Sequence, residues 1–170
     1  MRRTNRAAVV IAAAGAFAAM SCPMRLIAAP PTVAVADFDY IDTSGEVKNQ
    51  KAEHEARVAK FAELLRAKLS ADGQFQVIPI ECAEPPCTPI NMQPQKFIDA
   101  SHRSGARFVV YGGIHKMSTL IQNGDVELLD LETDKLLFKR TVTFRGDTDE
   151  AFRRAAVFVS DAVKEAMEKR

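Results

Sequence analysis

The chain has 170 residues, of which 47% are hydrophobic and 26% are charged, and its formal net charge is +1. This composition is typical of a globular protein and excludes a largely disordered chain. The first 28 residues hold four arginines and no acidic residue, so the rest of the chain is slightly acidic. Because the remainder has no excess of basic residues, the sequence argues against a nucleic-acid-binding protein.

The N-terminal segment has the layout of a secretory signal peptide. A basic start, Met1–Arg6, precedes an uninterrupted apolar run, Ala7–Met20, which is too short for a typical transmembrane helix. We predict export by the general secretory route, with residues 1–28 removed as a signal peptide after Ala28 and a mature protein in the periplasm. The alternative is an outer-membrane lipoprotein processed at Cys22, and only in that case would the protein be attached to a membrane.

The mature chain is predicted to alternate strands and helices. Its central stretch is Ala106–His115, where four consecutive apolar residues predict a strand buried on both faces. The adjacent glycines 112 and 113 indicate a bulge or a close backbone contact there. The other predicted elements are a strand at Thr32–Phe38, a loop over 39–49, a helix at Gln50–Ala71, a strand at Phe75–Ile80, a Pro-rich insertion over 81–93, a helix at Pro94–Ser104, a hairpin of Val126–Leu131 with Leu136–Arg145, and a helix from Asp147.

This order, β-α-β-α-β-β-β-α, predicts one α/β domain over residues 29–170. The first three strands form a parallel portion and the hairpin extends it, which makes a sandwich with a mixed five-stranded sheet and helices packed on it. Asp147 with Glu150 three residues later matches a capping box, so Asp147 is predicted to cap the last helix.

Several segments resemble known bacterial envelope proteins. The layout of Val33–Phe38, Gln74–Ile78 and Ser104–Gly112 resembles the N-terminal domain of the Tol-system propeller protein and the curli-secretion lipoprotein. The segments Asp37–Ser44 and Phe144–Glu150 resemble an uncharacterised proteobacterial family of secreted proteins, a domain of unknown function, over nearly the whole mature chain. These resemblances imply the fold and the compartment and carry over no catalytic residues.

Two cysteines lie in the Pro-rich insertion, Cys82 and Cys87, with Pro85 and Pro86 between them. In an oxidising periplasm such a pair is expected to form a disulfide. A redox-active or metal-binding pair and free thiols are the alternatives. The spacing differs from the Cys-x-x-Cys motif of thiol oxidoreductases.

Three carboxylates cluster after the first strand, at Asp37, Asp39 and Asp42. Ligands of open α/β sheets often bind at the carboxyl ends of strands, and carboxylates suit hard cations. The three residues are therefore weak candidates for a metal site. Short runs of Asp, Thr and Ser also make turns by bonding their own backbone, which is the simpler interpretation.

The sequence favours two classes of function. The first is a non-enzymatic accessory, scaffold or assembly domain of the cell envelope whose partner is another envelope protein. The exposed edge strand of the hairpin or the Cys82–Cys87 insertion would be its contact surface. The alternative is a periplasmic protein that binds a small ligand or a metal ion with the acidic loop. No catalytic residues, no cofactor and no nucleic-acid partner are predicted, because His54, His102 and His115 lie apart in the sequence and no nucleophile motif accompanies them.

Overall fold

A computed structural model describes residues 29–169 and shows one mixed five-stranded sheet with helices on both faces. The predicted order of strands and helices is confirmed, with one added helical turn in the Pro-rich insertion. The predicted signal peptide and Cys22 lie outside the described residues. The elements are β1 (Thr32–Asp42), α1 (Lys51–Ser70), β2 (Gln76–Ile78), α2 (Pro89–Met92), α3 (Pro94–Arg103), β3 (Phe108–Lys116), β4 (Ile121–Asp130), β5 (Lys135–Arg145) and α4 (Asp149–Glu168).

The strands lie in the order β2-β1-β3-β4-β5. β1 runs parallel to both β2 and β3, and β3, β4 and β5 form an antiparallel meander. The prediction of a loop from Asp39 was wrong, because β1 continues to Asp42 and pairs with β3 along Phe38–Asp42. Tyr40 and Ile41 favour a strand, and pairing with β3 extends β1 past the two flanking aspartates.

Two other strand boundaries differ from the prediction. β4 begins at Ile121 rather than Val126, because its polar first half is paired on one side with β3 and on the other with β5. β2 is only Gln76–Ile78 and pairs with Thr32–Ala34 alone. The second half of β1 therefore has no strand of the described residues on the side away from β3.

The main core lies between the sheet and the helices α1 and α4. Both helices have the apolar stripes that their sequence periodicity predicts. The buried residues of these stripes are Val58, Phe61, Ala62, Leu65 and Leu69 on α1 and Phe152, Ala155, Ala156, Val159, Val163 and Met167 on α4. Among residues 29–169, no helix has the length and apolar content needed to cross a bilayer.

The opposite face of the sheet carries a smaller core. Phe97 of α3 packs there with Ala34 and Ala36 of β1 and with Val109 of β3. Because β3 is covered on both faces, Phe108, Val109 and Val110 are all fully buried, as predicted for the central strand.

Candidate functional site

A groove of about 870 Å³ runs along the second half of β1. It lies where β2 has ended, so that this half of β1 borders the groove instead of another strand. One wall is the first part of α1, including His54, Val58 and Ala59, and the other is formed by Pro85 and Pro86. The structure thus brings together β1, α1 and the Pro-rich insertion, which are far apart in sequence.

The backbone of β1 presents hydrogen-bonding groups to this groove. The Thr43 N–H donates to the Lys116 carbonyl of β3 at 2.9 Å. Pairing between β1 and β3 runs without a shift from Phe38 to Asp42, and alternate residues of a strand bond to the same neighbour. The N–H and C=O groups of Phe38, Tyr40 and Asp42 therefore point away from β3 and into the groove.

The three predicted metal-site residues all line the groove, but each has a different partner. Asp37 accepts hydrogen bonds from Arg66 at 2.8 Å and from the Cys87 N–H at 2.9 Å. Asp39 accepts one from the Thr88 hydroxyl at 2.7 Å, and Asp42 accepts one from the backbone of the following turn. Among the described residues, no group of three or more His, Cys, Asp and Glu side chains is placed to hold a metal ion. The metal site remains a prediction.

Two partly buried polar side chains in the groove, Asp39 and Tyr40, have too few hydrogen-bond or ion-pair partners to offset the loss of water. Burial raises the pKa of Asp39, and the hydrogen bond from Thr88 offsets this only in part. Within residues 29–169, no cationic side chain forms an ion pair with Asp39. The Tyr40 hydroxyl is also buried, and no residue among 29–169 forms a hydrogen bond with it. Burial, followed by the nearby charges of Asp42 and Asp147, raises the pKa of Tyr40.

The Pro-rich insertion is closed by a disulfide and attached to β1 by hydrogen bonds. Cys82 and Cys87 are joined by a disulfide. The Cys87 carbonyl accepts a hydrogen bond from the Asp37 N–H at 3.2 Å, in addition to the bond from the Cys87 N–H to the Asp37 carboxylate. The disulfide loop is thereby held beside β1, which places Pro85 and Pro86 as a wall of the groove.

A buried ionic cluster lies at the base of the groove, and sequence reasoning missed it. Lys116, the last residue of β3, is 0% exposed. Its ammonium group contacts the Glu46 carboxylate, the Asp147 carboxylate at 2.8 Å and the Gln50 amide oxygen at 3.1 Å. Burial lowers the pKa of Lys116, but hydrogen bonds to Asp147 and Glu46 outweigh this and raise it above the ordinary value.

Asp147 is the hub of this cluster and does not cap α4 as predicted. It accepts hydrogen bonds from His54 at 2.6 Å and from Arg57 at 2.7 Å as well as from Lys116. The cap is Thr148, whose hydroxyl accepts from the N–H of Ala151. Burial raises the pKa of Asp147, but the bonds from Lys116 and His54 outweigh it and lower that pKa. A capping-box pattern cannot distinguish these two uses of an aspartate.

The cluster joins side chains that are far apart in the sequence. His54 is 1% exposed, with Nε2 at 2.6 Å from Asp147 and Nδ1 at 3.9 Å from Asp42. Among residues 29–169, no serine, threonine or cysteine side chain is hydrogen-bonded to His54. By joining Glu46 and Gln50 to Lys116, the cluster fixes the segment that leads from β1 into α1.

The fold and the site together define an α/β domain with a groove along a half-open strand. The chain belongs to the family DUF3280, described as a protein of unknown function (DUF2380), which matches residues 31–162. This confirms the predicted membership of an uncharacterised family. No curated protein matches the chain.

Solved structures confirm the fold and the predicted likeness to the Tol-system protein. TolB from Acinetobacter baumannii matches at 18% identity with a TM-score of 0.51, over 81% of this chain and 28% of the TolB chain. A Xanthomonas campestris protein of family DUF330 matches at 11% identity with a TM-score of 0.50, over 84% of this chain and 91% of that one. Lipoprotein GNA1162 from Neisseria meningitidis matches at 16% identity and 0.47, over 80% and 96%. This chain thus spans less than a third of TolB.

Proposed function

We propose that the protein is a non-enzymatic accessory domain of the bacterial cell envelope that binds an extended segment of a partner protein in the groove beside β1. The observation that carries the proposal is the half-open edge of β1. An exposed strand edge binds an extended peptide through main-chain hydrogen bonds, and flanking pockets select its side chains. The N-terminal signal pattern and the disulfide support an exported protein, because disulfides persist in oxidising compartments.

The two walls of the groove explain how a bound segment would be selected. Side chains of an added strand alternate between its two faces. One set meets Tyr40, His54 and Val58 on the side of α1, and the other meets Asp39 and the proline wall. The segment supplies a hydrogen-bond partner for the Tyr40 hydroxyl.

Charge favours a basic segment. The groove lining includes five acidic residues and two lysines. Asp37 and Glu46 already form ion pairs with Arg66 and Lys116, whereas Asp39 has no cation in the described structure. A lysine or arginine of the partner would compensate Asp39, and a charge pair formed in a partly buried groove is stronger than one at an open surface.

The contacts of His54 and His115 support a non-enzymatic role. His54 is enclosed by the ionic cluster, and His115 is hydrogen-bonded to the Thr43 hydroxyl at 2.7 Å on an exposed part of the surface. Neither is part of a nucleophile, base and carboxylate arrangement of the kind that acyl-transfer enzymes use.

The Ala59→Arg substitution tests the groove. Ala59 lies on the exposed side of α1 and lines the groove, so an arginine there fills the groove and opposes a basic segment. We expect a partner captured from native envelopes, identified by mass spectrometry and then purified, to bind this variant at least tenfold more weakly than wild type in calorimetry.

Ala67→Arg is the matched control, because Ala67 is an exposed alanine of the same helix outside the groove. This variant should bind the partner as wild type does. Equal weakening by both substitutions, or full binding by the Ala59→Arg variant, would refute the groove as the binding site.

The metal-ion alternative has a separate test. Because Asp37, Asp39 and Asp42 are directed to different partners, we expect calorimetry with Ca²⁺ and Zn²⁺ to show no binding at micromolar concentrations. Micromolar binding that disappears in the Asp39→Asn/Asp42→Asn double variant would favour a metal-binding protein instead. Asp37 is left unchanged in that variant because it anchors Arg66 and the Cys87 N–H.

A further inference from the structure

We propose that the free edge of β5 is a second protein-binding surface, which takes an extended acidic segment of a partner protein. β5 covers eleven residues, Lys135–Arg145, and among the strands of residues 29–169 it is an outer one that pairs with β4 alone. It is separated from the groove beside β1 by β3 and β4, so this surface stands on observations that the proposed function does not use.

The hydrogen-bond pattern shows which backbone groups β5 presents at its free edge. The Gly146 N–H donates to the Leu120 carbonyl at 2.9 Å. β4 and β5 pair without a shift from Ile121 opposite Arg145 to Leu128 opposite Phe138. Since alternate residues bond to the same neighbour, the outward groups belong to the other set. These residues are Lys139, Thr141, Thr143 and Arg145.

The charge of β5 indicates which kind of partner segment would bind there. The strand contains four basic residues and no acidic residue: Lys135, Lys139, Arg140 and Arg145. A second copy of this chain pairing at the same edge would place cations against cations, and like charges opposite each other destabilise strand pairs. An acidic segment would instead form ion pairs with Lys135 and Arg145, whereas Lys139 is already paired with Glu127 at 2.6 Å.

The surface beside β5 indicates which side chains a bound segment would have on its other face. A groove of about 420 Å³ lies between β5 and α4, lined by Leu137, Phe138 and Ala166 among others. Phe158 of α4 is 51% exposed beside it, with the Arg140 guanidinium 5.9 Å from its ring. Lys139 and Arg145 lie on the opposite face of the strand from Phe138. The segment that fits alternates acidic and apolar side chains.

Two synthetic ten-residue peptides probe this edge, one alternating Val and Glu and the other alternating Val and Lys. They are titrated into ¹⁵N-labelled protein expressed from its complete coding sequence, at low salt. We expect the Val–Glu peptide to shift the amide signals of β5 with sub-millimolar affinity and to bind at least tenfold more weakly in high salt. The Val–Lys peptide should leave the β5 signals unchanged.

Substitutions separate edge pairing from general charge attraction. Thr141→Pro removes an outward N–H without removing a bond to β4, and proline is tolerated at such edge positions. We expect it to weaken the Val–Glu peptide at least tenfold. Thr141→Ala is the control, because it loses the same hydroxyl bond to Asp125 but keeps the N–H, and it should bind as wild type does.

Charge reversal supplies a test that does not depend on proline being accommodated. The Lys135→Glu/Arg145→Glu variant, altered at two exposed positions, should lose the Val–Glu peptide and gain the Val–Lys peptide. The proposal is overturned if the Val–Glu peptide leaves β5 unshifted at millimolar concentration, or if both peptides bind β5 equally. The Ala59→Arg variant should bind the Val–Glu peptide normally, so a failure at β5 is distinguishable from a failure of the groove.

Discussion

We expect the Lys116→Met variant to be less stable than wild type by about 3 kcal/mol or more, because removing one member of a buried ion pair leaves its partners uncompensated. Lys116 is fully buried and contacts Glu46, Asp147 and Gln50. Methionine keeps most of the side-chain volume and removes the charge. The loss is a large part of a total stability of about 5–15 kcal/mol. Urea unfolding at neutral pH measures it.

Lys139→Met is the matched control on the same sheet. Lys139 forms an ion pair with Glu127 at 2.6 Å, but its side chain is 67% exposed. Exposed ion pairs contribute about 0–1 kcal/mol, so this variant should remain close to wild type in stability. Equal losses in the two variants would contradict a structural role for burial of the Lys116 cluster.

The same cluster predicts how stability depends on pH. Because the pKa of Asp147 is lowered on folding, its contribution is present above the pKa of the unfolded state and is lost as the pH falls through the folded value. We expect the urea midpoint of the wild-type protein to fall in acid. The Asp147→Asn variant should be less stable at neutral pH and should lose less of its remaining stability in acid.

We expect the Gly112→Ala variant to be strongly destabilised, by roughly 3 kcal/mol or more, as for a core position that cannot accept added volume. Gly112 lies in β3 opposite Val126 of β4. A Cβ atom at this position would lie 1.9 Å from the Asp125 carbonyl oxygen and 3.2 Å from the Phe38 ring. The oxygen belongs to the backbone of a paired strand, so relief requires the β3–β4 pairing to open. Thermal and urea unfolding measure the effect.

Gly124→Ala is the control for this substitution, since Gly124 lies in the neighbouring strand and has room. The closest atom to an added Cβ there is the Val142 carbonyl oxygen at 3.8 Å. This variant should lie within about 1 kcal/mol of wild type, on the stable side if the reduced freedom of the unfolded chain dominates. A Gly112→Ala variant as stable as the Gly124→Ala variant would disprove the close approach.

The helices and the buried strand could be predicted because their signals are local. The apolar stripe of α1, from Val58 to Leu69, follows the period of a helix, and every member of it is buried. The run Phe108–Val110 has no polar residue to face water, and it lies in the interior of the sheet. In both cases a spacing of a few residues along the chain carries the information.

The strand boundaries and the site could not be predicted in the same way. The segment Asp39–Asp42 begins and ends with aspartates and leads into a polar stretch, yet pairing with β3 makes it a strand. Asp147 matches a helix cap, yet Lys116, His54 and Arg57 hold its carboxylate. Each outcome is decided by residues distant in sequence, which local patterns do not contain.

The sequence by itself therefore determined the α/β class, the order of the elements and the faces that they bury, because hydrophobic burial acts through local periodicity. Only the tertiary structure decided that β2 stops after pairing with Thr32–Ala34, that the disulfide loop closes one side of the groove, and that Lys116 finds its carboxylates in the core. Strand pairing and buried charge pairs depend on which distant segments come together in the folded chain. The local sequence of one segment does not determine this.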